Sequence, residues 1–578
     1  MLRNGVAYSA FDINTWISVT DRVAAAARTN GTITFVGGGR ELPEVVSWGQ
    51  MHADACSFGA GLQSRGVLPG DHVAILSPTS RDLIVAIQGC WMAGAASMVL
   101  PLPMRMGSLE EFISGTRGRI VHGEAQVLVI SDDLAPFYEV KPGDPPIVAL
   151  GDLMPRNTGL SPLDCKVPAP DPERLVILQY TSGSTSEPKG VMIPDKVLGS
   201  NLDAIQQAAA FTQENDVFVS WLPLYHDMGL VGALGLPMTT GMPLVQAAPQ
   251  DFMARPGNWM QWISDFGGTA TAGPNFSWVL ATRALKRMQG IDLSSMRISL
   301  SGAEPVDPDA VDAFVAEAVR HGFRAQSMFP AFGMAELAIG GTFPEPMSGM
   351  QCDTVDAVVL ERDGVAKPIE LPAGHVPGAN DGVRRLAKLG RAVPGLELRI
   401  CAPDTGVELP ERSVGELEIR GSSVTTGYYR NPEATAAMFR GEWLRTGDLG
   451  YLIDGQLVLC GRIKDVIIVG GRNVYPHDIE RAVNLVDGVR PGNVIAFGIG
   501  GYKGKESVVV VAETKLTESV EIESVRKAIH HRVLECVGIP PRDVMVIRAG
   551  TLPKTSSGKL QRAKCAEQYL AEQLDLAN

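Results

Sequence analysis

Residues 180–190 run Tyr180-Thr-Ser-Gly-Ser-Thr-Ser-Glu-Pro-Lys-Gly190. Thr181, Ser182, Gly183, Ser184 and Thr185 are small or hydroxylic. Such residues let the backbone approach an anion while hydroxyls and amides donate to phosphate oxygens, and Lys189 adds a point charge. The spacing is not the GxxxxGK[ST] of a Walker loop, so a P-loop nucleotidase is not indicated. Alone, a Ser/Thr/Gly stretch is an ordinary solvated turn. Six segments further along the chain give it a chemical meaning.

In order, they are Leu222-Pro-Leu-Tyr-His-Asp-Met-Gly-Leu230, Ser301-Gly-Ala-Glu-Pro305, Phe332-Gly-Met-Ala-Glu336, Arg445-Thr-Gly-Asp448, Gly461-Arg-Ile-Lys-Asp465 and Leu552-Pro-Lys-Thr-Ser-Ser-Gly-Lys559. Together with the 180–190 loop they resemble the superfamily of acyl-CoA synthetases, peptide-synthetase adenylation domains and luciferases along nearly the whole chain. The resemblance implies a ligase that uses ATP and Mg2+ to turn a carboxylic acid into an acyl-AMP. The acyl group then passes to the thiol of CoA or of a phosphopantetheine.

The resemblance also implies roles. Glu336 would hold the Mg2+ ion, a task suited to a hard carboxylate oxygen. Asp448 would accept from both ribose hydroxyls, helped by Arg462. Phe332 stands where the family usually has a tyrosine stacked on adenine and keeps the π-face. The backbone of Gly302, Ala303 and Glu304 would line the other side of that slot, with Gly333, Met334 and Ala335 completing the nucleotide segment. Lys559 would serve the first half-reaction, because a carboxylate and an α-phosphate repel each other in a dry site and a cation between them removes the obstacle. His226 would flank the acyl carboxylate and the route of the thiol, with Tyr225, Asn275 and Phe276 in the acyl pocket. Lys464 would be the hinge about which the C-terminal domain turns between half-reactions, presenting first Lys559 and then the loop Gly470-Gly471-Arg472-Asn473.

Within the superfamily the details are most similar to fatty acyl-AMP ligases, whose acceptor is an acyl carrier protein. Trp221 to Leu230 and Gly273-Pro-Asn-Phe-Ser-Trp278 look like that branch, Ala335 replaces the threonine common in CoA ligases, and residues 352–388 resemble its insertion. In those enzymes the insertion braces the C-terminal domain and disfavours CoA. Ser186 and Glu187 depart from the glycines most CoA synthetases carry there, while Gly470, Gly471 and Val474 look as much like CoA synthetases. The alternatives are an acyl-CoA ligase and a member that binds an adenylate without making it. Arg384, Arg385 and Lys388 are a candidate basic patch for an acidic carrier protein.

The elements that must position these residues alternate in type. After Ser47, a plausible N-cap, the apolar residues Trp48, Met51, Ala55, Phe58 and Leu62 share one helix face. Residues 73–76, 125–130 and 175–180 read as buried strands, the last feeding the phosphate-type loop; residues 415–421 and 456–461 read as antiparallel strands. This α/β alternation predicts a large N-terminal domain of layered α/β subdomains with a β-rich subdomain, over 1–463, and a small mobile α+β C-terminal domain over 464–578. The uncharged stretch from Leu83 to Met104 predicts a buried helix and strand rather than a membrane span. At 578 residues with 45% hydrophobic and 20% charged, the chain can bury a large core. Its net charge of −13 disfavours nucleic acid and anionic membranes as partners. Eight scattered cysteines without a CxxC pair and a start without a secretory signal predict a cytoplasmic protein with no structural zinc.

Overall fold

The structure, a computed structural model, describes residues 16–102, 109–180, 189–371, 382–469, 472–500, 506–555 and 559–577. The chain is mixed α/β, with a larger and a smaller unit, as the alternation predicts. Met1–Met350, Leu389–Glu397 and Ile419–Leu444 form the first unit; Gln351–Lys388, Leu398–Glu418 and Arg445–Asn578 form the second.

The first unit carries two mostly parallel sheets. One orders its strands Ile147–Ala149, Ala125–Ile130, His72–Leu76, Ala96–Val99, Leu175–Tyr180 and Gly190–Pro194, with only the last pair antiparallel. The other orders Met328–Pro330, Ile298–Ser301, Ala270–Gly273, Phe218–Ser220, Leu244–Gln246, Thr32–Phe35 and Glu44–Ser47, again antiparallel only at the final pair. Parallel strands are covered on both faces, which is why His72–Leu76 is buried throughout and reads as a continuous apolar run. Ser47 caps the helix Trp48–Ser64 by accepting from the Gln50 amide at 3.1 Å, and Trp48, Met51, Ala55, Phe58 and Leu62 are buried. The stretch beginning at Leu83 is core: the helix Arg81–Ala93 stops at Gly94, in the left-handed region, and the strand Ala96–Val99 comes next. Among the described residues no helix is long and apolar enough to cross a membrane.

In the second unit, residues 448–453 pair antiparallel with Gln456–Arg462, and Ile467–Val469 pairs with Arg472–Val474. Val489–Gly500 runs antiparallel to Glu506–Thr514, which is parallel to Asp543–Arg548. The helices Pro476–Val483 and Ser519–Val537 supply Ile479, Val525, Ile529 and Val533 to the same core as Val494, Val508 and Val510. The 352–388 segment is part of this unit: Cys352–Asp356 and Val383–Ala387 form a hairpin, and Val355, Leu360 and Leu386 share a core with Tyr451, Val458 and Tyr475.

That packing corrects the expectation of a basic patch. Arg384 is only 5% exposed; its Nε donates to Asp478 Oδ1 at 3.1 Å, its Nη2 to the Cys460 carbonyl at 2.8 Å, and its guanidinium lies 4.3 Å from the Tyr475 ring centre. Strand alternation is the reason: residues 384 and 386 point inward together. Arg385 and Lys388 are half-buried, and Arg385 reaches Cys352 Sγ at 3.8 Å.

Candidate active site

Thr181, Ser182, Gly183, Ser184 and Thr185 lie outside the described residues. The strands on either side of them are described and pair antiparallel, Tyr180 opposite Gly190. Lys189 is half-buried, with its ammonium 5.2 Å from the centre of the Tyr428 ring.

The two nucleotide segments come together where neighbouring parallel strands end. The Ala331 amide donates to the Ser301 carbonyl at 3.0 Å, and a Cβ on Gly302 would come within 3.1 Å of the Ala331 carbonyl oxygen. Ala303 sits at φ +66, a strained choice for a non-glycine residue. Beyond it, Phe332 is 9% exposed and Glu304 half-buried. A Cβ on Gly333 would lie 2.1 Å from the Ile339 carbonyl oxygen, so no larger residue fits, and Met334 donates its amide to that same carbonyl at 2.9 Å. Glu336, on the single turn Ala335–Leu337, is 9% exposed. Its Oε1 accepts from the Tyr428 hydroxyl at 2.7 Å, and its backbone carbonyl accepts from the Thr425 amide at 2.8 Å.

The 221–228 segment is tied to the base of the phosphate-type loop, because Gln179 Nε2 donates to the Tyr225 carbonyl at 2.9 Å. His226 Nδ1 lies 2.5 Å from Oδ1 of the buried Asp227, which fixes the imidazole. Burial pushes the Tyr225 phenol up to about 12, so it stays neutral. Trp221 stacks on Phe252 with centroids 3.8 Å apart, and Phe276 meets Trp221 edge-on at 6.3 Å. Asn275, at the start of the helix Asn275–Leu285, accepts from the Asp307 amide at 3.3 Å.

In the second unit, Asp448 stands opposite Arg462 in the antiparallel ladder and is 4% exposed. Arg462 Nε donates to its Oδ1 at 2.7 Å, while Oδ2 is buried and has no partner among the described residues. Burial pushes this carboxyl above its ordinary range, against the pull of Arg462 and Lys464. A buried acceptor with no donor is costly, and an incoming hydroxyl pair would supply one. Lys464 is exposed on the turn Ile463–Asp465. Lys559 is half-buried in a loop closed by Thr555 N to the Lys559 carbonyl at 2.8 Å and Lys559 N to Thr555 Oγ1 at 3.0 Å. Gly470 and Gly471 lie outside the described residues; Arg472 pairs with Glu361, its Nε 3.2 Å from Oε2.

Tyr428 and Thr425 are contacts of the site that sequence reasoning did not find. They lie about ninety positions after Glu336, and Gly427-Tyr428-Tyr429 offers no local signal beyond that of a turn. Phe252 was missed for the same reason, sitting thirty positions from the Trp221 it stacks on.

Comparison with known proteins identifies the family. The profile of the family described as AMP-binding enzyme matches residues 23–429. That of the Disco-interacting protein 2-like AMP domain matches residues 464–578. A putative ligase of Mycobacterium tuberculosis is 37% identical over 94% of this chain and 98% of its own length. A medium-chain-fatty-acid–[acyl-carrier-protein] ligase, JamA, of Moorena producens is 31% identical over 94% of this chain and 93% of its own. A solved structure from work on fatty acyl-adenylate ligases of E. coli and L. pneumophila superposes with a TM-score of 0.87 at 28% identity, covering 97% of this chain and 99% of that one. With its first profile spanning well over half the residues and such relatives matching nearly end to end, the chain belongs to the AMP-binding enzyme family.

Proposed function

We propose that the chain activates a carboxylic acid, most naturally a fatty acid, as its acyl-AMP with release of pyrophosphate, and passes the acyl group to the phosphopantetheine thiol of an acyl carrier protein. The observation that carries this reading is Asp448: one carboxylate oxygen is held by Arg462 and the other is buried without a donor among the described residues, an arrangement suited to vicinal ribose hydroxyls. Family membership and the acyl-carrier-protein ligase among the relatives support it.

In this reading the adenine lies between Phe332 and the Gly302-Ala303-Glu304 backbone, where the Gly302 and Ala331 backbones already abut. The 181–185 hydroxyls and Lys189 take the phosphates. Glu336 holds Mg2+, which when bound offsets phosphate charge so that an anionic carboxylate can approach. Lys559 supplies a further cation for that approach and for the charge that builds on departing pyrophosphate. His226, oriented by Asp227, faces the acyl carboxylate, and Tyr225, Asn275 and Phe276 border the acyl chain. Residues 464–578 turn about Lys464 to bring the 470–473 loop to the thiol step. The 352–388 segment favours a carrier protein over CoA by holding Arg472 and Asp478 through Glu361 and Arg384. Eight free cysteines fit a reducing cytoplasm.

The test is incubation of the purified protein with ATP, Mg2+ and a panel of acids, following acyl-AMP by mass spectrometry with CoA or holo carrier protein present. Acyl-AMP that accumulates with CoA and is consumed by the carrier protein is expected. Ready formation of a CoA thioester would make this an acyl-CoA ligase, and absence of acyl-AMP with every acid would leave a protein that binds adenylates without making them.

A further inference from the structure

Resting on the assignment of Glu336 as the carboxylate that holds the divalent cation, we infer that Tyr428 is the positioning residue for that carboxylate and for Lys189. Its hydroxyl donates to Glu336 Oε1 at 2.7 Å, and its ring takes the Lys189 ammonium at 5.2 Å from the centroid. One side chain thus addresses the two charges that the nucleotide phosphates and their cation would meet.

The backbone fixes Tyr428 from both sides. Its amide donates to Thr435 Oγ1 at 3.0 Å. Gly427 before it accepts from the Met192 amide at 3.0 Å, and Tyr429 after it donates to the Gly190 carbonyl at 2.8 Å. Both contacts are on the strand that leaves the phosphate-type loop. Thr425 completes the clamp, donating its amide to the Glu336 carbonyl at 2.8 Å and its hydroxyl to the Met192 carbonyl at 2.5 Å. Gly427 is at φ +139, and a Cβ there would fall 2.5 Å from Thr435 Cγ2, so the path of this segment depends on glycine.

The chemistry explains the residue type. A phenol restricts the carboxylate's rotation while leaving its full negative charge for a cation. An arginine or lysine donor in its place would neutralise Glu336 and repel the metal. Phenylalanine would keep the ring for Lys189 and remove the hydroxyl's hold on the carboxylate.

Tyr428→Phe isolates the hydroxyl. Mn2+ binding to the protein–ATP complex, read by electron paramagnetic resonance, is expected to weaken about tenfold, the effect of losing one hydrogen bond to a charged group. The half-saturating Mg2+ concentration for ATP–pyrophosphate exchange should rise in step, while that for the acid moves less than about twofold. In a Glu336→Gln background the same change should have no further effect on Mn2+. If Glu336→Gln weakens Mn2+ binding and Tyr428→Phe does not, the role given to Tyr428 is wrong and that of Glu336 stands. If Glu336→Gln leaves Mn2+ binding intact, the assignment beneath the proposal is wrong. Equal weakening of Mn2+, ATP and acid with a lowered melting temperature would mark Tyr428 as structural and overturn the inference.

Discussion

Asp448 and Asp195 are both buried carboxylates, yet their surroundings give them different work. Asp448 has an arginine on one oxygen and a buried second oxygen with no partner among the described residues. Asp448→Asn keeps the shape and halves the acceptor capacity, so the half-saturating ATP concentration in pyrophosphate exchange should rise about tenfold to a hundredfold. An unchanged value would remove ribose binding from this residue. Asp195, 5% exposed, instead anchors the start of the helix Val19–Ala26, accepting from the Val19 amide with both oxygens at 3.0 and 3.1 Å. Burial pushes its carboxyl up from 3.8 to about 7, with the Val19 amide and the Arg22 and Arg174 charges pulling the other way. The folded chain therefore holds this proton more tightly than the unfolded one. The stabilisation from Asp195 is complete below about pH 4 and is lost as pH rises through about 7. Melting temperatures measured across that range should fall for the wild type relative to Asp195→Asn, and parallel curves would refute the linkage.

At the level of elements, the 352–388 hairpin and its helix matter for what they hold. Glu361, in the helix Ala357–Asp363, pairs with Arg472, and Arg384, in the strand Val383–Ala387, pairs with Asp478 at the start of the helix Pro476–Val483. Arg384→Ala removes the donor shared by Asp478 and the Cys460 carbonyl, leaving Asp478 only the longer contact with Arg481 at 4.0 Å, which should cost about 3–5 kcal/mol of stability by denaturant unfolding, as for other broken buried pairs. A cost below about 1 kcal/mol would mean the pair is dispensable. Arg384 is thus unsuited to carrier-protein charge-reversal experiments, since its reversal would perturb folding before it perturbed any docking.

For the whole molecule, the two half-reactions give the sharpest expectation. Lys464 is exposed on a single turn after the strand that carries Arg462. Lys464→Pro restricts the backbone there while leaving Glu336, Asp448 and Lys559 in place, and Lys464→Ala controls for the loss of the charge that acts on Asp448. Acyl-AMP formation should persist while thioester formation falls about a hundredfold or more in single-turnover assays; equal loss of both would dismiss the pivot. Residues 125–130 and 175–180 form the strands their apolar runs predict, and residues 48–64 form the helix their spacing predicts, because strand and helix periods are imposed by neighbours a few positions away. The family's motifs were legible for a related reason: loops and tight turns need contiguous residues of particular size and charge. The hydrogen bond from Tyr428 to Glu336 spans 92 positions, and that from Arg384 to Asp478 spans 94. No local pattern encodes such pairs. By itself the sequence determined which elements form and, through its ordered motifs, the family. Only the tertiary structure decided that a tyrosine grips the Glu336 carboxylate, that the Arg384 strand is a buried brace, and that one oxygen of Asp448 has no donor among the described residues. Those outcomes depend on which faces of distant elements pack together, and packing is a property of the closed chain.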